Sequence, residues 1–172
     1  MEMEPISSRL FREALAHFAS GVTVVAARTA SGLVGFTATG FTSVSLTPPL
    51  VLVCVGRSAS VHERIIGADH FGVSVLSDRQ GWVAEQFACS GIDRFQNVVL
   101  RPGRVPCIDG ALARLECSRH ALYDAGDHTI VVGEVLAGSV APGRPLVHFA
   151  RHLGGFVAEA APRATSDVAT VR

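Results

Sequence analysis

Lysine is missing from this sequence altogether: all fifteen of its basic residues are arginine. That absence excludes a P-loop lysine, a Schiff-base lysine and a Ser-Lys dyad, each of which needs a primary amine. Guanidinium groups bind phosphate and carboxylate better than they exchange protons, so the basic residues point first to anion recognition. Net charge is missing too. Fifteen acidic residues balance the arginines to zero, which leaves no field favouring nucleic acid or an anionic membrane. The four cysteines, Cys54, Cys89, Cys107 and Cys117, form no C-x-x-C pair. The seven histidines include no H-x-H pair and a single H-x-x-x-H spacing, His148 and His152, in a stretch without a neighbouring Cys, Asp or Glu, so no metal site is expected. A serine hydrolase would need G-x-S-x-G and a dinucleotide fold G-x-G-x-x-G after the first strand; neither is present. No apolar run approaches the length of a membrane span. The acidic start "MEMEPISS" has no hydrophobic signal region. These absences predict a reduced, soluble, cytoplasmic protein.

What is present is apolar. Hydrophobic residues make up 48% of the 172 residues and charged residues only 17%. A chain of this length forms one domain, and the imbalance predicts apolar surface covered by a second subunit, a homodimer.

The periodicity orders the elements. "SSRLFREALAHFASG" opens on helix-start serines, repeats Leu10, Phe11, Ala14, Leu15 and Phe18 at helical spacing, and ends on Gly21. "VTVVAA" (22–27) is a strand that turns through "RTASG" into "LVGFT", a hairpin. Pro48 and Pro49 break the chain before "LVLVCV" (50–55), which is apolar on both faces. "SASVHERIIGA" is a short helix capped by Ser58 or Ser60, "HFGVSVL" (70–76) a strand, and "DRQGWVAEQFA" a second helix. A loop fills 91–110. "ALARLECSRHALY", "HTIVVGEVLAGSV" and "PLVHFARHLGGFV" supply the last strands. Strands without regular β-α alternation point to a mainly β fold with peripheral helices, a closed or partly split antiparallel barrel, over residues 1–157. The Ala/Pro/Thr/Ser-rich tail over 158–172 is expected to be disordered.

Three clusters carry chemical interest. Between 37 and 45, Thr37, Thr39, Ser43 and Ser45 share one face of a strand, with Phe36, Ala38, Gly40, Val44 and Leu46 on the other. A strand with its polar face in water explains this; so does a lining of short hydroxyl donors against a flat polar ligand. In "CVGRSASVHER" a strand end, Arg57, two serines and a helix start suit a phosphate, or make an ordinary cap with a solvated arginine. In "AGDHTIVVGEV", Gly126-Asp127 forms a turn before His128. Asp127 either orients His128 for contact with a substrate or simply ends a hairpin.

Taken together and in order, these stretches resemble the short-chain flavin reductases, the FMN-binding split-barrel reductase components of two-component monooxygenases. The likeness runs from Phe11 to Phe156 through "FREALAHFASGVTVVAA", "GFTATGFTSVSLTPPLVLVCV", "HFGVSVL", "QFA" with "DRF", "LECSRHALYDAGDHTIVVGEV" and "PLVHFARHLGGF". It implies an NAD(P)H:flavin oxidoreductase that moves a hydride from nicotinamide to FMN or FAD and hands reduced flavin to a separate oxygenase. On that resemblance, Thr37, Ala38, Thr39, Gly40, Ser43, Val44 and Ser45 border the flavin ring and ribityl chain. Cys54, Val55, Gly56, Arg57, Ser60 and His62 form the phosphate-side loop, and Arg94 and Phe95 lie near the ribityl-phosphate end. His128, with Asp127, contacts the nicotinamide. Family members commonly carry Asn or Ser, then Ser, where this chain has Thr39-Gly40, which leaves the choice of flavin open. No arginine is placed for a 2′-phosphate, so NADH is the expected donor. Two other readings stay open: a tightly bound FMN acting on an organic substrate, and a flavin-binding module without turnover.

Overall fold

A computed structural model describes residues 4–158; of the expected tail, all but Ala158 lies outside them. Helix α1 (Ser8–Ala16) is followed by β1 (Ser20–Gly21), β2 (Thr23–Thr29), β3 (Gly32–Ala38), β4 (Phe41–Leu46) and β5 (Pro49–Gly56). Next come α2 (His62–Ile66), β6 (His70–Val75), α3 (Gly81–Ala88), β7 (Leu100–Arg101) and β8 (Cys107–Ile108). The chain closes with β9 (Ala113–Ala125), β10 (His128–Val140), β11 (Leu146–Phe149) and β12 (His152–Gly155). Every strand ladder among these elements is antiparallel. The expectation of a mainly β antiparallel protein with few helices holds.

Seven strands form the main sheet in the order β3-β2-β6-β9-β10-β5-β4. Its two edges, β3 and β4, are consecutive in the chain, with only Thr39 and Gly40 between them. Three peptide units reach about 11 Å, whereas seven strands laid flat would hold the edges roughly 28 Å apart. The sheet must therefore curl until its edges approach. The Cys54 N–H donates to the Gly40 carbonyl at 2.9 Å where they do.

Side-chain alternation then fills two cores. Inside the curl lie Val25, Ala27, Val34, Val53, Val55, Phe71, Val73, Cys117 and Val131. Outside it, Val22, Val24, Ala26, Leu76, Val83, Ala84, Phe87 and Leu146 pack under α3 and β11. β2 serves both, which explains why "VTVVAA" needs no polar face. Fully burying Phe71 and Phe87 stabilises the fold by about 1.5–3 kcal/mol each. Burial also pushes the Cys117 thiol up to about 12, with nearby Cys107 adding to the effect. Cys117 is a core hydrophobe, whereas Cys54 is only partly buried on the other face of β5, one residue out of phase with buried Val53 and Val55.

Several local expectations are corrected. The 37–45 segment is two strands at a corner, because its edge strands belong to opposite ends of one sheet, and a register shift between Ser43 and Ser45 breaks its period of two. α2 has only five residues and is preceded by Val61 with no side-chain cap, so neither Ser58 nor Ser60 caps it. α1 stops at Ala16, and Ser20–Gly21 pairs with β11 instead. The 91–110 loop contains the small β7–β8 ladder.

Candidate functional site

The β9–β10 hairpin turns on two residues, Gly126 and Asp127, with Ala125 paired to His128. A two-residue hairpin turn with positive φ at its first position favours glycine there, and Gly126 has φ 63°. The turn delivers His128 opposite Gly56 at the end of β5. A side chain at 56 would lie 3.6 Å from His128 Nε2, so glycine leaves the imidazole uncovered. Asp127 Oδ1 sits 2.7 Å from His128 Nδ1. This hydrogen bond, and the charge of His128, hold the Asp127 carboxyl below its ordinary value. An ionised carboxylate only accepts, so Nδ1 carries the hydrogen and, in the neutral ring, Nε2 is the acceptor. The turn is braced from behind: the Arg57 N–H donates to the Asp127 carbonyl at 2.9 Å, and the Arg57 guanidinium pairs with Asp124.

His62 has a different place. Its ring is buried, Nδ1 is 2.9 Å from Glu63 Oε1 and Nε2 is 2.9 Å from Thr129 Oγ1. Both ring nitrogens are used, so His62 ties α2 to β10 and has none left for a ligand. Ala38 and Val55 are likewise core residues; only their backbones can face a bound molecule.

At the corner, Gly40 packs against Cys54, where an added Cβ would meet Cys54 Cβ at 3.2 Å. Thr37 donates its hydroxyl to the Ala84 carbonyl at 2.6 Å, which docks α3 on β3 and leaves the oxygen free to accept. Thr39 is exposed beside Gly40. Ser43, Val44 and Ser45 lie further along β4: Ser43 pairs with Val51, five residues from Gly56 on β5, a separation of roughly 17 Å along the strand. The structure therefore gathers Thr39, Gly40 and Cys54 at the corner and Gly56, Arg57, Asp127 and His128 at the strand end. The 43–45 stretch continues from the corner along β4, three to five residues beyond Gly40.

Ser60, Arg94 and Phe95 do come together. They line a cavity of about 250 Å³ beside Leu33, Gly35 and Arg64. Phe95 meets Phe87 edge to face at 4.9 Å. Arg94 donates from Nη1 to the Gly35 carbonyl at 2.9 Å and from Nε to the Cys89 carbonyl at 2.6 Å. Gly35 is required by this packing, since a Cβ there would stand 2.9 Å from Phe87 and 3.1 Å from Phe95. Sequence reasoning missed Gly35, Arg64 and Asp124. A glycine inside the strand "LVGFT" was the signal for the first; the other two become visible only through partners 31 to 67 residues away.

The structure thus presents a curled antiparallel sheet with an exposed, carboxylate-oriented histidine at one strand end and, separately, two arginines lining a cavity. The chain belongs to the flavin reductase-like domain family, whose profile matches residues 15–156. The reductase component of 4-hydroxyphenylacetate 3-monooxygenase from Thermus thermophilus is 50% identical over 144 residues, 82% of this chain and 91% of that one. An FMN reductase (NADH) from Agrobacterium fabrum is 45% identical over 152 residues, 87% of each chain. The structure of an NADH:FAD oxidoreductase from Streptomyces globisporus superimposes with a TM-score of 0.84 at 39% identity, covering 92% of this chain and all of that one. Among the described residues no helix is long and apolar enough to cross a membrane.

Proposed function

We propose that this protein is an NADH:flavin oxidoreductase that passes a hydride from reduced nicotinamide to FMN or FAD and supplies the reduced flavin to a separate monooxygenase. The observation that carries the reading is the uncovered His128 imidazole, oriented by Asp127 and seated over Gly56. Hydride transfer needs stacking and alignment more than a strong base, and this arrangement provides an aimed, replaceable contact at the edge of the sheet. Flavin supplies the hydride acceptor. The residues present suit it: Gly40 and Gly56 leave backbone uncovered for a flat ring, Thr37 and Thr39 offer hydroxyl oxygens, and guanidinium groups surround the cavity that Ser60 lines. Relatives named for NADH use and for a monooxygenase component support the donor and the destination.

The curled sheet is read as a split barrel, and the working unit as a homodimer. Leu10, Phe11, Leu15 and Phe18 on and after α1 are each more than half exposed, as a surface awaiting a second copy would be. A cytoplasmic location goes with this reading, because NADH is maintained there and all four cysteines are free thiols.

The test begins with protein freed of loose flavin by size exclusion. NADH oxidation should be slight until FMN or FAD is added and then rise with flavin concentration. His128→Ala should leave flavin dissociation constants near wild type and slow hydride transfer, or weaken NADH binding, by roughly 5- to 150-fold, the equivalent of one aligned contact. Wild-type stopped-flow rates in a folded His128→Ala protein would remove His128 from the site. They would leave only a hairpin end.

A further inference from the structure

We infer that Tyr123 is a binding residue for the hydride donor, its ring stacking on the adenine of NADH while His128 holds the nicotinamide end. This rests on the reductase reading and adds the residue that recognises the far half of the donor.

Strand register decides which side chains share the face that carries His128. Val53 and Val55 of β5 and Val131 of β10 belong to the inner core, and Thr129 is buried against His62. Alternation therefore sends Cys54, Gly56, His128 and Ile130 to the other face. Ile130 pairs with Cys54 on one side and with Tyr123 of β9 on the other, and paired residues share a face. Gly40 closes on Cys54 from the corner. One row thus runs Gly40, Cys54, Ile130, Tyr123, and the next row toward the strand ends holds Gly56, His128 and Ala125. Tyr123 stands diagonal to His128, a relation that separates residues by about 7–8 Å and that aromatic side chains still span.

The Tyr123 ring is not spent on the fold. It is 58% exposed, and among the described residues it belongs to neither ring pair, His17 with Phe149 or Phe87 with Phe95. Ile130 and Cys54 beside it are partly buried, and Gly56 and Ala125 rise no higher than a methyl group. Tyr123 and His128 therefore stand above a low floor, open to a flat ligand.

The direction of the row decides which ring Tyr123 meets. On the reductase reading the flavin ring lies at the corner by Gly40, and hydride transfer brings the nicotinamide beside it, at His128. Tyr123 is three strand spacings from Gly40, roughly 14 Å, and one strand beyond the strand that carries His128. The ribose and pyrophosphate links of a dinucleotide carry its second base away from the nicotinamide, and here they lead onto β9. The adenine of FAD would leave the other way round the closure, because Ser60 and Arg94 line their cavity beside β3, at the opposite edge of the sheet from β4. Stacking on an aromatic side chain suits a purine, which offers a π-face and needs no charged partner.

The experiment measures oxidation of NADH and of reduced nicotinamide mononucleotide, which lacks the adenylate half, with FMN as acceptor so that no second adenine is present. Wild type should show the lower KM for NADH. Tyr123→Ser should raise the KM for NADH about 10-fold and leave kcat at saturating NADH unchanged. Its KM for the mononucleotide should stay at the wild-type value, which also shows that the hairpin still presents His128. Tyr123→Phe keeps the ring and should keep the wild-type KM for NADH. Dissociation constants for FMN and FAD should be the same in all three proteins. Equal losses for the two donors in Tyr123→Ser overturn the assignment, as does a KM for NADH that stays at wild type. A loss in Tyr123→Phe as large as in Tyr123→Ser also overturns it, by giving the effect to the hydroxyl. FAD-selective weakening overturns it too, by giving the ring to the adenine of the flavin. A wild-type protein that oxidises neither donor when flavin is added would instead overturn the reductase reading itself.

Discussion

Helices α1 and α3 both carry apolar residues at helical spacing, more sharply confined to one face on α1, and have opposite fates. α3 buries Val83, Ala84 and Phe87 against the outer face of β2 and β3. α1 buries none of its residues, and Leu10, Phe11 and Leu15 are each about half exposed. A hydrophobic stripe states that a helix has a face to cover; it does not state what covers it. α3 finds its cover inside the chain because Gly35 makes room for Phe87 and Phe95, and because Thr37 reaches the Ala84 carbonyl. On α1 the apolar stripe borders an open cavity shared with Thr39, Gly40, His148 and Arg151, and the proposed second copy is what would complete its cover.

The contrast can be tested from the α3 side first. Phe87→Ala should cost about 3–5 kcal/mol in urea unfolding, as buried phenylalanine truncations do. It should also loosen the cavity, because Phe95 loses its edge-to-face partner. A loss below about 1 kcal/mol would mean that α3 is not docked through this ring. Thr37→Val keeps the shape and removes only the hydroxyl that donates to Ala84, so a loss of about 1 kcal/mol is expected. An unchanged midpoint would reduce that contact to an incidental one. On α1, replacing Phe11 and Leu15 together with serine should change the stability of the single chain by no more than about 0.5 kcal/mol, since neither side chain is buried within it. Sedimentation should nevertheless shift from dimer to monomer. A wild type that is already monomeric, or a double variant that still dimerises, would leave the α1 stripe without the proposed role.

The same division runs through the candidate site. Gly126, Asp127 and His128 could be read from the sequence because a two-residue turn is a local device: glycine supplies the positive φ, and the neighbouring carboxylate reaches the ring. Ser60, Arg94 and Phe95 could be read only by resemblance, since 34 residues separate Ser60 from Arg94, yet one cavity holds all three. Where the reading failed, the reason was tertiary. His62 looked available in "SVHER", but folding placed Thr129 against its Nε2 and buried it. Arg57, expected on the phosphate side, also has a partner that its own stretch does not show, the Asp124 carboxylate of the long β9–β10 hairpin.

The amino-acid order by itself determined the strands with alternating valines, the α3 stripe, the tight turn before His128 and the exclusion of lysine chemistry, because each depends on residues within a few positions of one another. The composition, 48% hydrophobic against 17% charged, also showed how apolar the chain is. Only the tertiary structure decided that Thr37 and Ser45 belong to opposite edges of one sheet. It also decided which carboxylate meets Arg57 and which apolar helix stays uncovered. Those outcomes depend on how a seven-stranded sheet curls to bring its first and last edges together at Gly40. That closure is a property of all seven strands at once, and no short stretch of sequence contains it.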